Sequence, residues 1–269
     1  MRALPLLSSI HRLVAYLGRL AVELPRQVGL FMLFLGEIFR QLLRRPFRLG
    51  SIIKHAEAMG NHSLAIICLT ALSTGGVFAL QMAGLFKVFS AENMVGGATG
   101  LALTTELAPL IGGFVLAGRV GSAMCAEIAT MVVREQIDAM EAMGVSPIHY
   151  LVVPRLIAAA VVMPLLIGIF MVVGMLGAYS VSIFLFEVDQ GIFLEKLVAL
   201  VGHNEVIKGL RKMFVFALII TVVSCRYGLQ AEKGAKGVGV ATTNAVIAAL
   251  LGILFADFVI SYMQLRWSL

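Results

Sequence analysis

Five long apolar runs leave this chain few folds to adopt. They cover His62–Phe86, Val95–Val133, Tyr150–Phe186, Ile207–Leu229 and Ala241–Met263. A membrane-spanning helix needs about 20 apolar residues, and each run is at least that long. Because 13% of the residues are charged, against about 25% in soluble domains, the chain cannot cover itself in water. The sequence therefore predicts an all-α integral membrane protein with five transmembrane helices.

The second and third runs are longer than a bilayer requires, so we expect those helices to project beyond it, tilt or kink. Pro109 lies in the second run and lacks an N–H, which frees the carbonyl of Thr105 and predicts a kink there. A transmembrane barrel is disfavoured, because the runs are continuously apolar and do not alternate.

The first 61 residues form a predicted region of their own, followed by the five-span region 62–269. Three arginines recur every seven residues and lie near one helical face, opposite a leucine stripe: Arg12, Arg19 and Arg26. A basic amphipathic helix of this kind suits an anionic cytoplasmic leaflet, and a solvated basic tail is the alternative. Val28–Leu43 is apolar but short for a span, which favours an interfacial or re-entrant elbow helix.

Lysine and arginine set the predicted orientation. Nine of the 21 basic residues lie before residue 62, whereas the first loop between spans offers Lys87. The positive-inside rule therefore places the N-terminus in the cytoplasm. With five spans, the links Arg134–Met143 and Gln230–Val240 are then cytoplasmic and the C-terminus lies outside. Four cations oppose this orientation because they fall in the loop assigned to the outside: Lys196, Lys208, Arg211 and Lys212.

The link Arg134–Met143 is a short charged helix between two apolar runs. It has an apolar stripe beside an acidic face. The stripe consists of Ile137, Met140 and Gly144, and the acidic face of Glu135, Asp138 and Glu141. This combination suits a groove on a soluble partner, and a solvated loop helix is the alternative. We expect Pro147 to end the helix and Pro154 to mark entry into the next span.

Sequence signatures of enzymes and metal sites are missing. The chain has no phosphate-binding loop, no HExxH motif, no G-x-S-x-G motif and no cluster of cysteine with histidine. Cys68, Cys125 and Cys225 stand singly in apolar context and are predicted to be core residues. We therefore expect a non-catalytic chain with no catalytic residue, metal ligand or cofactor of its own. Transport driven by ATP would require an ATPase on another chain.

Small residues recur every four positions on two predicted spans. One face consists of Gly118, Ser122, Ala126 and Thr130, and the other of Ala241, Ala245 and Ala249. Such faces let helix backbones approach closely in lipid. Packing within the chain is favoured over dimerisation for either face.

Two acids lie deep inside predicted spans. Glu106 lies about 16 Å into the second run and Asp257 about 24 Å from the opposite face, at roughly 1.5 Å per residue. A charge at that depth costs at least roughly 2.5–3.5 kcal/mol, and we identify no basic partner for either acid. Our hypothesis is that Glu106 lines a polar pocket open to water or a lipid headgroup. The alternative is an acid that is protonated or hydrogen-bonded within the packing, and it is favoured for Asp257. The candidate lipid site comprises Glu106, Asp257, Phe89 and Pro109.

Residues 117–155 resemble the signature of the MlaE permease family, the membrane subunits of MCE-type lipid ABC transporters. The matching positions are Ala117, Gly118, Arg119, Gly121, Ala126, Glu127, Met131, Glu135, Gln136, Pro147, Pro154 and Arg155. A second match, GAKGVGVATTNAV at Gly234–Val246 followed by Asp257, is similar to the family's cytoplasmic turn and last span. Many members have an arginine before the glutamate of the second span, where this chain has Thr105.

The resemblance implies roles for particular residues. In the family the EQ-containing helix docks into the cytosolic ATPase. This implies ATPase coupling for Arg134, Glu135, Gln136, Ile137, Asp138, Met140, Glu141, Met143 and Gly144. Structural roles are expected for Gly118, Arg119, Glu127, Pro147, Pro154 and Arg155.

The resemblance also implies an assembly. A homodimer of five-span subunits in a bacterial inner membrane encloses a phospholipid cavity. Its implied partners are a cytosolic ATPase dimer that uses ATP and Mg, a periplasmic MCE-domain protein and a STAS-domain protein; no nucleic acid is expected. Two rival functions are a secondary transporter or channel that works without an ATPase, and a membrane anchor with no transport role.

Overall fold

The computed structural model of the protein describes residues 25–26, 29–44 and 48–268. Throughout this part of the chain the secondary structure is helical, with short turns between helices, so the predicted all-α fold class is confirmed. The helices are α1 (29–42), α2 (Leu49–Val88), α3 (Val95–Ala102), α4 (Ala108–Leu116), α5 (Ser122–Val133), α6 (Gln136–Ala142), α7 (Val153–Phe184), α8 (Gln190–Leu200), α9 (His203–Leu229) and α10 (Ala235–Ser268).

The chain divides into two compact units, residues 1–46 and 47–269. In the first, α1 covers the predicted elbow segment. Its one acid, Glu37, forms an ion pair with Arg40 at 2.7 Å and accepts a hydrogen bond from Gln41 Nε2 at 2.6 Å. The carboxylate of this apolar helix is thus paired within the helix itself. The predicted amphipathic helix around Arg12 and Arg19 lies outside the described residues.

Within the described residues, four helical segments are long and apolar enough to cross a membrane: Leu49–Val88, Glu92–Val133, Ile148–Phe184 and Ala235–Arg266. The fifth predicted span, Ile207–Leu229, corresponds to α9, which packs against α5, α7 and α10. It buries three polar side chains, Lys212, Thr221 and Ser224. Polar residues of membrane helices face the bundle interior, so this composition fits a central helix. The count of five spans stays a prediction.

Helices α2 and α7 pack with their backbones in contact. A Cβ atom at Gly75 would collide with the carbonyl oxygen of Gly174, and one at Gly177 with that of Leu72. Glycine at these crossing points is what allows so close an approach, the usual device for packing helices in lipid. α2 begins at Leu49, so residues 49–61, assigned above to the N-terminal region, belong to this first long helix.

The two overlong segments contain three π-helical turns among the described residues: the turn over Ala117–Gly121 has no proline after it, and the other two lie just before a proline. A π-helical turn over Leu103–Leu107 directly precedes Pro109, and a second over Ile148–Val152 precedes Pro154. Each proline lacks the N–H that would bond to the carbonyl four residues earlier, and a wider turn accommodates that loss. The irregularity expected beside Glu106 is therefore present as a local widening of the helix.

The small-residue faces differ in their surroundings. Ala241, Ala245 and Ala249 are buried, and Ala245 belongs to a small cluster with Cys125 between α10 and α5. Packing within the chain therefore accounts for this face. On the other face, Gly118 is exposed and a Cβ atom there would meet open space. Cys125 and Cys225 are buried as predicted, and Cys68 is partly buried.

Candidate functional site

An ion cluster lies inside the bundle, where three helical segments meet. The Lys212 ammonium, on α9, lies 2.5 Å from Glu106 Oε2 and 3.1 Å from Asp257 Oδ1. It also donates a hydrogen bond to Ser261 Oγ at 2.8 Å. Ser261 in turn lies 3.4 Å from the Glu106 carboxylate. One lysine thus joins the second predicted span to the last.

Local backbone features position these side chains. Glu106 lies in the π-helical turn before Pro109. Gly209 brings α9 against that turn, because a Cβ atom there would collide with the carbonyl oxygen of Thr104. Lys212 follows Gly209 by three residues and so projects from the same face of α9. Asp257 and Ser261 are four residues apart on α10 and share one face by the same rule.

The burial of the cluster is uneven. The Lys212 side chain is 0% exposed and that of Asp257 16%, whereas that of Glu106 is 44% exposed. Asp257 Oδ1 is buried and has no aligned hydrogen-bond donor, so its contact with Lys212 is an ion pair. Two carboxylates face one ammonium, which leaves the cluster with a formal charge of −1. Glu106 is its open edge, able to accept hydrogen bonds from water or a polar group.

Part of this cluster was predicted from the sequence. Glu106 and Asp257 were expected at similar depths, and both contact the same ammonium. The statement that neither acid has a basic partner is wrong, because Lys212 pairs with both. By its charge, Lys212 falls in the predicted outer loop. It lies instead within α9, where Met213 and Phe216 are also buried, and its position at the start of an apolar run was the signal in the sequence.

The other predicted lipid-site residues lie apart from the ion cluster. Pro109 is buried three residues beyond Glu106 and shapes the turn that carries it. Phe89 is exposed at the end of α2. The Glu92–Val133 segment must advance about 20 Å from there to reach Glu106, at about 1.5 Å per residue. Thr105, the departure from the family pattern, donates its hydroxyl to the Leu101 carbonyl at 2.8 Å.

A second ion pair joins α5 to α7. Arg155 is buried in the first turns of α7, and its guanidinium lies 2.8 Å from Glu127 Oε2. Arg155 Nη1 also donates to the Leu151 carbonyl at 2.8 Å, a carbonyl within the π-helical turn before Pro154. Glu127 is half-exposed and borders a cavity of about 110 Å³ shared with His55 and Arg119. Of the predicted structural residues, the fold therefore brings Glu127 and Arg155 together.

The predicted cytoplasmic link around α6 differs in detail from its prediction. Its helix, α6, covers Gln136–Ala142 and is shorter than Arg134–Met143. It ends before Gly144, whose φ of +74° suits glycine. The prediction that Pro147 ends this helix is wrong. Pro147 immediately precedes the next helical segment. Proline is tolerated at a helix start because its missing N–H has no helical partner there.

The exposed face of α6 is mainly polar. Ile137 is buried and holds the helix to the bundle, so the predicted apolar stripe does not all face outward. The residues left exposed on and beside the helix are Arg134, Glu135, Gln136, Asp138, Ala139, Glu141, Ala142, Met143 and Gly144. Met140 is half-buried between the two sets. The exposed surface is therefore mainly acidic, with Met143 as its large apolar side chain.

The two predicted cytoplasmic links contact each other. Glu135, in a left-handed conformation with φ of 57°, accepts a hydrogen bond from Lys233 Nζ at 2.8 Å. This bond and the charge of Lys233 lower the pKa of Glu135, and Glu135 raises the pKa of Lys233. Both side chains are mostly exposed, 66% and 70%, so the pair contributes little stability. It does place both links at one end of the bundle, as the predicted orientation requires.

Long apolar helices with a charged site in the bundle interior and an exposed helix at one end are features that a membrane permease has. The comparisons with known proteins agree. Residues 52–263 match the family model described as "Permease MlaE". The chain belongs to the MlaE permease family.

Its relatives carry consistent names. A probable ABC transporter permease of Rickettsia prowazekii is 39% identical over 244 residues, 91% of this chain and 94% of the relative. One from Synechocystis is 38% identical over 247 residues, 92% and 94% of the two chains. An Arabidopsis thaliana protein named TRIGALACTOSYLDIACYLGLYCEROL 1, chloroplastic, is 34% identical over 226 residues, 84% and 65% of the two chains. This chain is therefore a permease subunit of an ABC transporter.

Proposed function

We propose that the chain moves phospholipid between the bacterial inner membrane and an MCE-protein pathway, powered by ATP hydrolysis on a separate cytosolic ATPase. Family membership supports the ATPase, because the relatives are named as ABC transporter permeases. The name of the Arabidopsis thaliana relative includes trigalactosyldiacylglycerol, a galactolipid, which supports a lipid cargo. The N-terminus would be cytoplasmic, with α6 on the ATPase side.

The observation that carries the lipid proposal is the exposure of Glu106. Its side chain lies within a predicted membrane helix and yet is 44% exposed. Ionisable groups at membrane depth line pathways and cavities, because a charge facing lipid tails is costly. An open carboxylate beside apolar helices suits an amphiphile, whose headgroup contacts the acid while its chains contact the helices.

The connections of the ion cluster support a route by which ATP hydrolysis acts on it. Glu106 belongs to the helical segment Glu92–Val133, which leads directly into α6. Lys212 and Asp257 lie on α9 and α10, which are joined by the link that carries Lys233. The Glu135–Lys233 contact therefore connects, at the cytoplasmic end, the helices that hold the cluster. Movement of α6 by the ATPase would shift these helices and change the opening at Glu106.

The proposed assembly is a homodimer with an ATPase dimer, an MCE-domain protein and a STAS-domain protein. A continuous exposed apolar face on α10 supports contact with a second copy or with lipid: Leu251, Phe255, Phe258 and Tyr262. The exposed acidic face of α6 supports docking of a soluble protein.

A secondary transporter that works without an ATPase is the rival with an observation in its favour. Paired acids and a lysine inside membrane helices are also the components of proton relays. The purified chain alone would then catalyse ion-dependent flux. A membrane anchor with no transport role would instead retain no lipid after purification.

Co-purification from the native membrane tests the proposal. The chain should retain an ATPase and an MCE-domain protein, and mass spectrometry of the extract should find phospholipid. Recovery of the chain without any ATPase would overturn the ATP-driven function. Recovery with an ATPase but without lipid would favour the anchor.

A further inference from the structure

The ion pair between Glu127 and Arg155 joins the two helices that flank α6. Glu127 lies on α5, which leads into α6, and Arg155 lies in the first turn of α7, which follows it. Their charged atoms are 2.8 Å apart. In the part of the chain that the structure describes, no other ion pair joins α5 to α7. Helix packing does not replace this bond, because α5 packs mainly against α9 and α10, and α7 mainly against α2 and α9.

Arg155 cannot readily leave Glu127. The Arg155 side chain is 2% exposed, whereas that of Glu127 is 54% exposed. Arg155 Nη1 donates a hydrogen bond to the Leu151 carbonyl at 2.8 Å, and its Nε is buried without a hydrogen-bond partner. The carbonyl is neutral, so the Glu127 carboxylate balances the charge of the buried guanidinium. Separating α5 from α7 at this point would leave that charge buried and unpaired, which is strongly unfavourable.

The pair lies close to both ends of the segment that carries α6. Glu127 precedes the end of α5 at Val133 by less than two helical turns. Arg155 follows the π-helical turn over Ile148–Val152 and bonds to a carbonyl of that turn. The same turn is held to the start of α2, because Arg48 Cζ lies 4.0 Å from the centroid of the Tyr150 ring. A displacement of α6 therefore reaches the pair through a short stretch of chain on each side.

We infer that Glu127 and Arg155 are positioning residues that make α5 and α7 move together when the ATPase moves α6. α5 belongs to the segment Glu92–Val133, which carries Glu106, and α7 packs against α9, which carries Lys212. With the pair intact, both sides of α6 carry its motion to the ion cluster. Without the pair, α5 would shift while α7 stays in place. The inference rests on the proposed ATP-driven transport and names residues that transmit it.

The amount of lipid transferred per ATP hydrolysed tests the pair, in proteoliposomes that contain the chain and its co-purified ATPase. The variant Glu127→Gln, Arg155→Met removes both charges, so no unpaired charge stays buried and thermal stability in detergent should remain close to that of the wild type. ATP hydrolysis should continue. Transfer per ATP should fall about fivefold, the effect of roughly 1 kcal/mol of lost coupling. Glu127→Gln alone keeps a hydrogen-bond acceptor for Arg155 and should lower the ratio about twofold.

The matched control is Glu195→Gln, Lys196→Met, which removes an ion pair that lies within α8 and joins no two helices. It should keep the wild-type ratio and the wild-type stability. A role in packing alone predicts that the ratio returns together with stability in the double variant, so a wild-type ratio there would overturn the inference. A wild-type ratio in folded Glu127→Gln would overturn it as well. A wild type without ATP-dependent transfer refutes the proposed function, whereas an ATP-dependent wild type with equally coupled variants refutes this inference alone.

Discussion

At the scale of single residues, Lys212 supplies the positive charge that pairs with two acids in the predicted spans. Glu106 and Asp257 come from separate helices, and one buried ammonium pairs with both. Removing one partner of a buried ion pair is far more costly than removing the pair, because the remaining charge is left uncompensated. The cluster therefore binds the helices together as a unit.

We predict that Lys212→Met is strongly destabilising. It leaves Asp257 as a mainly buried acid without its cation, with a cost of up to about 3–5 kcal/mol. Thermal unfolding of the purified protein in detergent measures the loss. Adding Asp257→Asn to Lys212→Met should recover part of it. Lys208→Met is the matched control, since its partly exposed pair with Glu205 is worth about 0–1 kcal/mol. Equal losses for the two lysines would contradict the assignment of Lys212.

The sequence predicts the acids of this cluster better than their partner. Glu106 and Asp257 stand out because each interrupts a long apolar run. Lys212 does not stand out, because Lys208 and Arg211 precede it and make it look like part of a loop. Its burial depends on the approach of Gly209 to the Thr104 carbonyl, a contact between distant parts of the chain. No local pattern contains that information.

At the scale of elements, α6 and the α9–α10 link form one surface. Glu135 is part of the predicted docking helix, and Lys233 comes from the other link. The pair contributes little energy but fixes which segments lie side by side. We therefore expect it to act in positioning rather than in stability.

A zero-length carbodiimide reagent should join Glu135 to Lys233 as an amide. Their charged atoms lie 2.8 Å apart, and mass spectrometry of the digested protein would identify the linked peptides. High salt should lower the yield, because exposed charges are screened. Lys233→Arg keeps the charge but removes the amine and should abolish the product. Failure to detect the product in the wild type would contradict the placement of the two links at one end.

Charge reversal separates docking from positioning. Glu135→Lys with Asp138→Lys should detach the ATPase or uncouple ATP hydrolysis from transport, because it reverses the exposed acidic face. Glu135→Lys with Lys233→Glu restores an ion pair between the links while still changing the docking face. ATPase binding by pull-down and lipid transfer are measured for both variants. Full ATPase binding and full lipid transfer in the first variant would contradict the docking role of α6.

The Glu135–Lys233 pair should not respond to pH near neutrality. The pKa of Glu135 is lowered from 4.5, so its contribution is present above that value and lost as pH falls through the lowered pKa. The pKa of Lys233 is raised from 10.5, so its contribution is present below that value and lost as pH rises through the raised pKa. Between about pH 6 and 9, wild type and a Glu135→Gln, Lys233→Gln variant should show pH profiles of transport with the same shape. A difference in shape would contradict this.

At the scale of the whole molecule, apolar periodicity predicts the architecture and misses its irregularities. The long runs and the two links were predicted, because hydrophobic length and charge act locally. The bounds of α6 were not, since Gly144 ends that helix before Pro147. The central position of α9 is not predicted either, because the sequence does not show which helices it packs against. Its place follows from packing against α5, α7 and α10.

At the scale of the whole molecule, the ion cluster and the contact between Glu135 and Lys233 lie far apart on the same helical segments. The Glu92–Val133 segment, α9 and α10 hold the ion cluster and reach the end where Glu135 meets Lys233. This arrangement fits the proposed opening of the permease from the end that carries α6. In the proposed function, lipid transport therefore depends both on ATP and on Glu106.

The most direct test is lipid transfer from proteoliposomes that contain the chain and its co-purified ATPase, with and without ATP. Transfer should require ATP, and Glu106→Ala should reduce it by about tenfold or more, since a hydrogen bond to a charged group is worth about 1.5–3 kcal/mol. Assembly should persist, because Asp257 still compensates Lys212. ATP-independent transfer, or transfer unchanged by Glu106→Ala in an intact complex, would contradict the proposed transport through this site.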